Sequence, residues 1–286
     1  MNKIIDRKTL EIKDCDLANS QKFLYRNAFG RLILKLLIRP FDSKLGGFYM
    51  KRKCSCRMIN KFVKKNNIDL SQYDMIDIKC YNDFFSRKIL PGKRIIDSNP
   101  KRLISPCDSK LQAFKIEENS IFKIKDAYYK VEDLVNDKAL SEEYIGGYCL
   151  VFRLTVDDYH RYCYIDNGTK TKNTHIKGVF HTVNPIALER YNFYQRNSRE
   201  YTILNTDNFG KVVQIEVGAL MVGKINNHHQ EYSFIKGEEK GTFLFGGSTI
   251  VLLVKDNIII DEDILINTLN NDETIVKYGE GIGSLK

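Results

Sequence analysis

Polar positions recur every fourth residue near the start of the chain. Asn27, Arg31, Lys35 and Arg39 form one mostly basic stripe, and Phe23, Leu24, Ala28, Phe29, Leu32, Ile33, Leu36 and Leu37 fill the remaining helical surface. That period predicts an amphipathic helix over residues 23–39, ended by Pro40, which has no N–H to continue the ladder. A second run carries Lys51, Arg52, Lys53, Arg57, Lys61, Lys64 and Lys65 around Met58, Ile59, Phe62 and Val63, and predicts another amphipathic helix. Residues 69–100 read as helical and then looped, with a short helix near Tyr81 running into a turn at Pro91-Gly92. After Leu103 the texture changes to short β-branched and aromatic runs separated by Gly, Asn and Asp. These predict strands at 111–116, 148–154, 160–165, 174–179, 211–217, 220–225 and 248–254, with one helix at 131–137. The fold class that follows is α+β. A helical, basic N-terminal region (residues 1–100) packs on a mostly antiparallel β domain (residues 101–286).

Charge sharpens this division. Lys and Arg number 45 against 36 Asp and Glu, and residues 22–65 alone hold 13 basic residues against one acid, Asp42. The positive excess therefore lies on the predicted N-terminal helices, and it calls for an anionic partner there and not elsewhere. No nucleic-acid-binding motif accompanies it, so nucleic acid is not the expected partner. No apolar run approaches the ~18 residues that a membrane span needs. A basic flank beside a broad apolar face suits a helix lying in a membrane interface; it equally suits a helix docked on the protein's own core. With 43% hydrophobic residues and 32 Tyr and Phe, the chain can build a core without disulfides. The seven Cys are odd in number and follow a charged N-terminus, so free thiols in a reducing compartment are expected. Cys54-x-Cys56 has no second pair, and no metal site is expected.

Three segments carry candidate chemistry. In Ser105-Pro-Cys-Asp-Ser-Lys110, Asp108 follows a proline turn and leads into a strand, a place where Asp is often only a turn former. In Val156-Asp-Asp-Tyr-His-Arg-Tyr-Cys-Tyr164, His160 is one of five His and opens a strand among aromatics. It is either a satisfied half-buried ring or an acid–base group. In the third segment, Gly246-Gly247 precede Ser248 inside what reads as one strand, so they mark a bulge or a close backbone approach.

These segments occur in order with others: Ser105-Pro-Cys-Asp, Asp158-Tyr-His-Arg, Val183-Asn-Pro, Val217-Gly-Ala-Leu-Met-Val-Gly, and Lys236-Gly-Glu-Glu-Lys-Gly followed by Phe-Gly-Gly-Ser-Thr. Taken together, they resemble the phosphatidylserine decarboxylase family, self-processing enzymes of phospholipid synthesis that carry a pyruvoyl group. The resemblance implies that Ser248 is the pyruvoyl precursor. Its Oγ attacks the Gly247 carbonyl, the chain is cut after Gly247, and the products are a large chain (1–247) and a small chain (248–286). It also implies a triad in which Asp108 orients His160 and His160 activates Ser248. A pyruvoyl carbonyl supplies the electron sink that amino-acid decarboxylation requires and that no protein side chain offers.

Two departures from the family pattern stand out. Cys163 occupies the position where many relatives have a second His, which leaves the base role to His160, with His181 as a conceivable helper. Ser109 stands where relatives usually carry Gly. The resemblance further implies phosphatidylserine in the membrane as substrate, an anionic lipid surface as partner, and a peripheral location on the cytoplasmic face of the cell membrane. A homodimer is compatible with it. Two other readings remain open at this point. One is a pyruvoyl-dependent decarboxylase of another amine-bearing lipid or amino acid. The other is a non-enzymatic β protein that binds membrane or nucleic acid, in which Gly246-Gly247-Ser248 is only a bulge.

Overall fold

Every residue of the strand Ser248–Val254 is buried, as a central strand covered on both faces must be. The computed structural model places this strand in the middle of an eleven-stranded sheet. The structure describes all residues except 1–2, 15–22, 25–26, 38–46, 125–126, 180–196, 219–223 and 245–247. Ser248–Val254 runs antiparallel between Gly210–Val217 and Tyr148–Leu154, with Ser248 opposite Leu154 and Thr249 opposite Val217. Beyond Gly210–Val217 come Arg199–Thr206, Gly168–Lys170 and Tyr232–Phe234, and Thr174–Ile176 also pairs with Arg199–Thr206. Beyond Tyr148–Leu154 come Ser109–Lys115, Glu273–Val276, Lys3–Asp6 and Ile12–Asp14.

A three-stranded sheet of Arg161–Cys163, Glu239–Leu244 and Lys224–Asn227 docks on this large sheet through a polar seam. Lys240 and Glu216 are both fully buried, and the Lys240 ammonium donates to Glu216 at 2.7 Å and to Asn227 at 2.8 Å. Asn227 in turn donates to Glu200 at 3.0 Å and to Glu216 at 3.2 Å, and Gln214 donates to Glu216 at 3.0 Å. Gly241 fits here because a Cβ would lie 2.5 Å from the Tyr162 hydroxyl and 2.6 Å from the Asn226 carbonyl.

The helical region has its own small core of Met50, Ile59, Tyr81, Phe84 and Phe85. Phe62 packs edge-on against the rings of Tyr81 and Phe84, with centroids at 5.6 and 6.2 Å. The helix Ala28–Leu37 falls inside the expected 23–39 span, of which residues 38–39 lie outside the described residues. The basic run folds as a 3-10 turn, Lys53–Met58, followed by the helix Ile59–Asn66. The predicted helix at 131–137 is Val131–Val135, stopped at Asn136, whose φ of 54° leaves the helical region.

The α+β class, with a basic helical region on mostly antiparallel sheets, is therefore what the chain adopts. One part differs from the reading of residues 1–100 as helical. Lys3–Asp6 and Ile12–Asp14 are strands, and Lys3–Asp6 pairs in parallel with Glu273–Val276 from the far end of the chain. Arg7 fixes this edge by holding Asp263 at 2.8 and 2.9 Å and Asp261 at 2.9 Å. Such a pairing leaves no local periodicity to read.

The seam generates a stability prediction. Lys240→Met should destabilise the protein by about 3–5 kcal/mol in urea unfolding, because Glu216 would stay charged and buried without its partner. Adding Glu216→Leu to Lys240→Met should recover most of that loss. If the double variant is as unstable as the single one, the cost does not come from the abandoned charge.

Candidate functional site

The site is assembled where three segments are sewn together by backbone. The Cys163 N–H donates to the Pro106 carbonyl at 2.9 Å, which joins the Asp108 turn to the His160 strand. The Phe243 N–H donates to the His160 carbonyl at 2.9 Å, and the Thr242 hydroxyl donates to it at 3.2 Å. The strand that receives His160 is thus the one that leads toward Ser248. Gly246 and Gly247, between Leu244 and Ser248, lie outside the described residues, as do His181 and Val183-Asn-Pro.

His160 is fully buried, with the Phe85 ring at a centroid distance of 4.0 Å. Its Nδ1 lies 2.9 Å from the Asp158 carbonyl, which can only accept, so Nδ1 carries the proton and donates. The lone pair is therefore on Nε2, the nitrogen a base would use, and Nε2 is buried without a hydrogen-bond partner among the described residues. Burial drives the imidazole pKa down to about 3 against the opposing pull of the Asp158 bond, so the ring is neutral at ordinary pH. The Ser248 hydroxyl is likewise buried and without a partner among the described residues. Orphaned side chains also occur at Thr249 and Ser109, but Ser248 and His160 are complementary in type, one a donor and one an acceptor.

Asp108 does not make the contact with His160 that the resemblance implies. Its carboxylate is gripped side-on by Arg94, Nε to Oδ1 at 3.0 Å and Nη2 to Oδ2 at 2.5 Å. The Tyr278 N–H donates to Oδ1 at 2.9 Å, and the Lys277 ammonium stands 3.6 Å from Oδ2. Burial pushes this carboxyl up, but the Arg94 hydrogen bonds, Lys277 and the Tyr278 N–H outweigh it and hold the pKa below the usual carboxylate range. The group that orients His160 is instead the main chain of Asp158. That turn is held in place because the Asp158 carboxylate accepts from Lys110 at 2.6 Å and from the Thr155 N–H at 2.7 Å.

Burial pushes the Cys163 thiol up to about 12, so it stays protonated and cannot take over the work of a His. Ser109 is buried, and its hydroxyl has no partner among the described residues. Outside the Arg94–Asp108 pair a cavity of about 430 Å³ opens, lined by Lys8, Lys93, Arg94, Lys277 and Tyr278 among others. The roles of Arg94, Lys277 and the Asp158 carbonyl were not legible in the sequence. Arg94 and Lys277 come from loops far apart in the chain, and a carbonyl has no side-chain signature.

Comparison with known proteins gives one consistent family. A family model described as phosphatidylserine decarboxylase matches residues 81–284. A relative from Clostridium acetobutylicum, named phosphatidylserine decarboxylase proenzyme 2, is 51% identical over 264 residues, covering 92% of this chain and 90% of the relative. Phosphatidylserine decarboxylase proenzymes from Clostridium botulinum (strain Kyoto) and Ruminiclostridium cellulolyticum are 40% and 41% identical. The first covers 100% of both chains, and the second covers 99% of this chain and 98% of the relative.

The buried neutral imidazole has a consequence for stability against pH. The His160 pKa falls on folding from 6.5 to about 3, so between these values the unfolded chain binds the extra proton. The stabilisation is complete above pH 6.5 and is lost as pH falls toward 3. In a Ser248→Ala background, acidification from pH 6.5 to 5 should cost the His160-containing protein roughly 2 kcal/mol more than its His160→Gln counterpart in urea unfolding. Equal losses would mean that the imidazole takes up its proton without hindrance in the fold.

Proposed function

The chain belongs to the phosphatidylserine decarboxylase family, an enzyme family, and on that premise we propose that it decarboxylates phosphatidylserine to phosphatidylethanolamine with a pyruvoyl group made from Ser248. The observation that carries this reading is the pair of buried, unpartnered atoms, the Ser248 hydroxyl and His160 Nε2. They are what a fold needs if one of its own serines is to become a nucleophile. His160, held by the Asp158 carbonyl with its lone pair on Nε2, removes the proton from Ser248 Oγ. The oxygen attacks the Gly247 carbonyl carbon, the Gly247–Ser248 amide bond breaks, and the acyl group moves to oxygen as an ester, freeing the Ser248 amine. Loss of the Ser248 α-proton then breaks the Cβ–O bond. This releases residues 1–247 with a Gly247 carboxylate and leaves dehydroalanine, which water converts to pyruvoyl and ammonia.

The residues present fit such a group, because Ser248 opens a buried strand, and a neutral imidazole lies at the start of the strand hydrogen-bonded to the one that leads toward it. When formed, the pyruvoyl carbonyl supplies the electron sink for loss of CO₂. His160, restored to its neutral form, is the residue that delivers and removes protons at this position. Asp108 acts in this proposal as a positioning residue. By fixing Arg94, Lys277 and the Tyr278 backbone it shapes the cationic rim of the site.

Access to a membrane lipid is supported by the helical region. Among the described residues no helix is long and apolar enough to cross a membrane. The helix Ala28–Leu37 buries Leu34 in the core while leaving Phe29 and Leu32 more than half exposed, and Phe48 and Tyr49 are exposed as well. Arg52 covers the Phe48 ring at 4.3 Å, and further Lys and Arg follow along Ile59–Asn66 and its preceding turn. Such a surface docks peripherally on the anionic cytoplasmic face of a membrane, where each cation adds about 1 kcal/mol and apolar side chains enter the interface.

Intact-mass spectrometry tests the chemistry. The wild-type protein should resolve into chains 1–247 and 248–286, the smaller bearing a carbonyl in place of its amine, and Ser248→Ala should remain one inactive chain. A cut and active Ser248→Ala protein would remove Ser248 from the account. For the docking surface, Phe29→Ser combined with Leu32→Ser should weaken binding to phosphatidylserine-containing vesicles by roughly tenfold or more in a sedimentation assay. Unchanged sedimentation would assign those exposed side chains another purpose.

A further inference from the structure

Arg87 is a buried cation with no ion-pair partner among the described residues. It is only 2% exposed, yet its Nε and Nη2 have no hydrogen-bond partner among the described residues. Its guanidinium lies over the rings of Tyr73 at 4.1 Å and Phe84 at 4.8 Å, and Nη1 donates to the Phe84 carbonyl at 3.2 Å. The group is therefore held against two rings and at one corner. Nε and Nη2 form the side-on edge, whose two parallel N–H bonds match two oxygens of one oxyanion. At three other arginines that same edge is filled by a carboxylate, and at Arg199 by the Leu134 and Asp133 carbonyls. Arg7 holds Asp263 with it, Arg94 holds Asp108, and Arg153 holds Glu273. A buried charged donor left unpaired is costly, so a vacant fork of this kind is a place prepared for a ligand.

Its location identifies the ligand. The segment that carries Arg87 is laid directly on the segment that carries His160. The Phe85 ring stacks on His160 at 4.0 Å, Arg161 Nε donates to the Ser86 carbonyl at 2.8 Å, and the Ile89 N–H approaches the Tyr159 hydroxyl at 3.4 Å. On its other side the fork is separated from the cationic cavity by a row of tyrosine rings. Tyr278 lines the cavity and packs on Tyr159 at 6.0 Å, and Tyr159 packs on Tyr73 at 6.2 Å.

We propose that Arg87 is the receptor for the phosphodiester of the substrate's head group, anchoring it with Nε and Nη2 so that the amino acid end reaches Ser248 and His160. The assignment rests on the reading that an aminophospholipid is the substrate. The same substrate offers a second oxyanion, its carboxylate, but chemistry selects against it. The carboxylate leaves as neutral CO₂, so a buried guanidinium bonded to it would stabilise the ground state more than the transition state. The phosphodiester keeps its charge from substrate to product and can be held throughout. Arg87 is a binding residue on this account, and its contribution is uniform binding that appears in KM.

The test uses the full-length protein and glycerophosphoethanolamine, which carries the phosphodiester and the amine but no carboxylate. In proton–nitrogen correlation spectra, titration should move one arginine Nε–H signal that is missing from the Arg87→Lys spectrum. With short-chain phosphatidylserine, Arg87→Gln should raise KM roughly tenfold to hundredfold while kcat stays within about threefold, and Arg87→Lys should fall between. An unmoved signal together with an unchanged KM would overturn the proposal and leave Arg87 as packing for Tyr73 and Phe84. A signal that moves with L-serine and not with glycerophosphoethanolamine would reassign the fork to the carboxylate and equally overturn it. Should Arg87→Gln fail to fold, the wild-type titration and the Arg87→Lys kinetics decide alone. Failure of the underlying decarboxylase reading is seen separately, as a wild-type chain that stays uncut and releases no CO₂.

Discussion

The arrangement depends on one buried ion pair. Lys240 and Glu216 meet at 2.7 Å with both side chains closed to solvent, one on the small sheet and one on the large. An apolar contact between the two sheets would tolerate a slide of one residue, whereas an ammonium with carboxylate and amide acceptors would not. Because the strand Glu239–Leu244 carries Lys240 and also donates to the His160 carbonyl from Phe243, fixing the seam fixes the imidazole as well. Four residues beyond Leu244 the chain enters the central strand at Ser248. The ion pair at Lys240 thus fixes the strand that precedes Ser248 in the chain.

On the proposed reading, the site obtains its base by exclusion. Among the described residues no carboxylate hydrogen-bonds to His160. A main-chain carbonyl fixes the tautomer, and burial keeps the ring uncharged. This suits a single internal event, in which proton transfer occurs between two groups that never see bulk water. The acidic residue expected to orient the ring is used elsewhere, in a cluster with Arg94 and Lys277 that keeps a net positive charge. A carboxylate can be indispensable to a site's shape without touching the reacting atoms, and Asp108 fits that description.

How much of this was legible in the sequence follows from what each feature depends on. Ser248–Val254 and Tyr148–Leu154 are continuous apolar runs, and local composition alone announces them. The helix Ala28–Leu37 follows from its four-residue period. Lys3–Asp6 does not, because its only reason to be extended is a partner some 270 residues away. At the site, Ser248 and His160 stand inside ordered motifs and could be named in advance. Arg87 could not, since Phe-Phe-Ser-Arg reads as the end of a short helix, and only the fold reveals that its Nε and Nη2 have no partner among the described residues. Motif order singles out candidate reacting residues, but it does not identify which oxygen holds a ring or which fork lacks a partner.

The position of the central strand has a further consequence for a polypeptide severed before Ser248. The shorter fragment would own the strand that lies between Gly210–Val217 and Tyr148–Leu154, and also the strand Glu273–Val276, threaded between Ser109–Lys115 and Lys3–Asp6. The longer fragment would clasp it again through Arg7 on Asp261 and Asp263 and through Arg153 on Glu273. Two pieces interlaced at the middle of one sheet would not drift apart without dismantling it, so for a chain cut there subunit exchange and unfolding would become the same event.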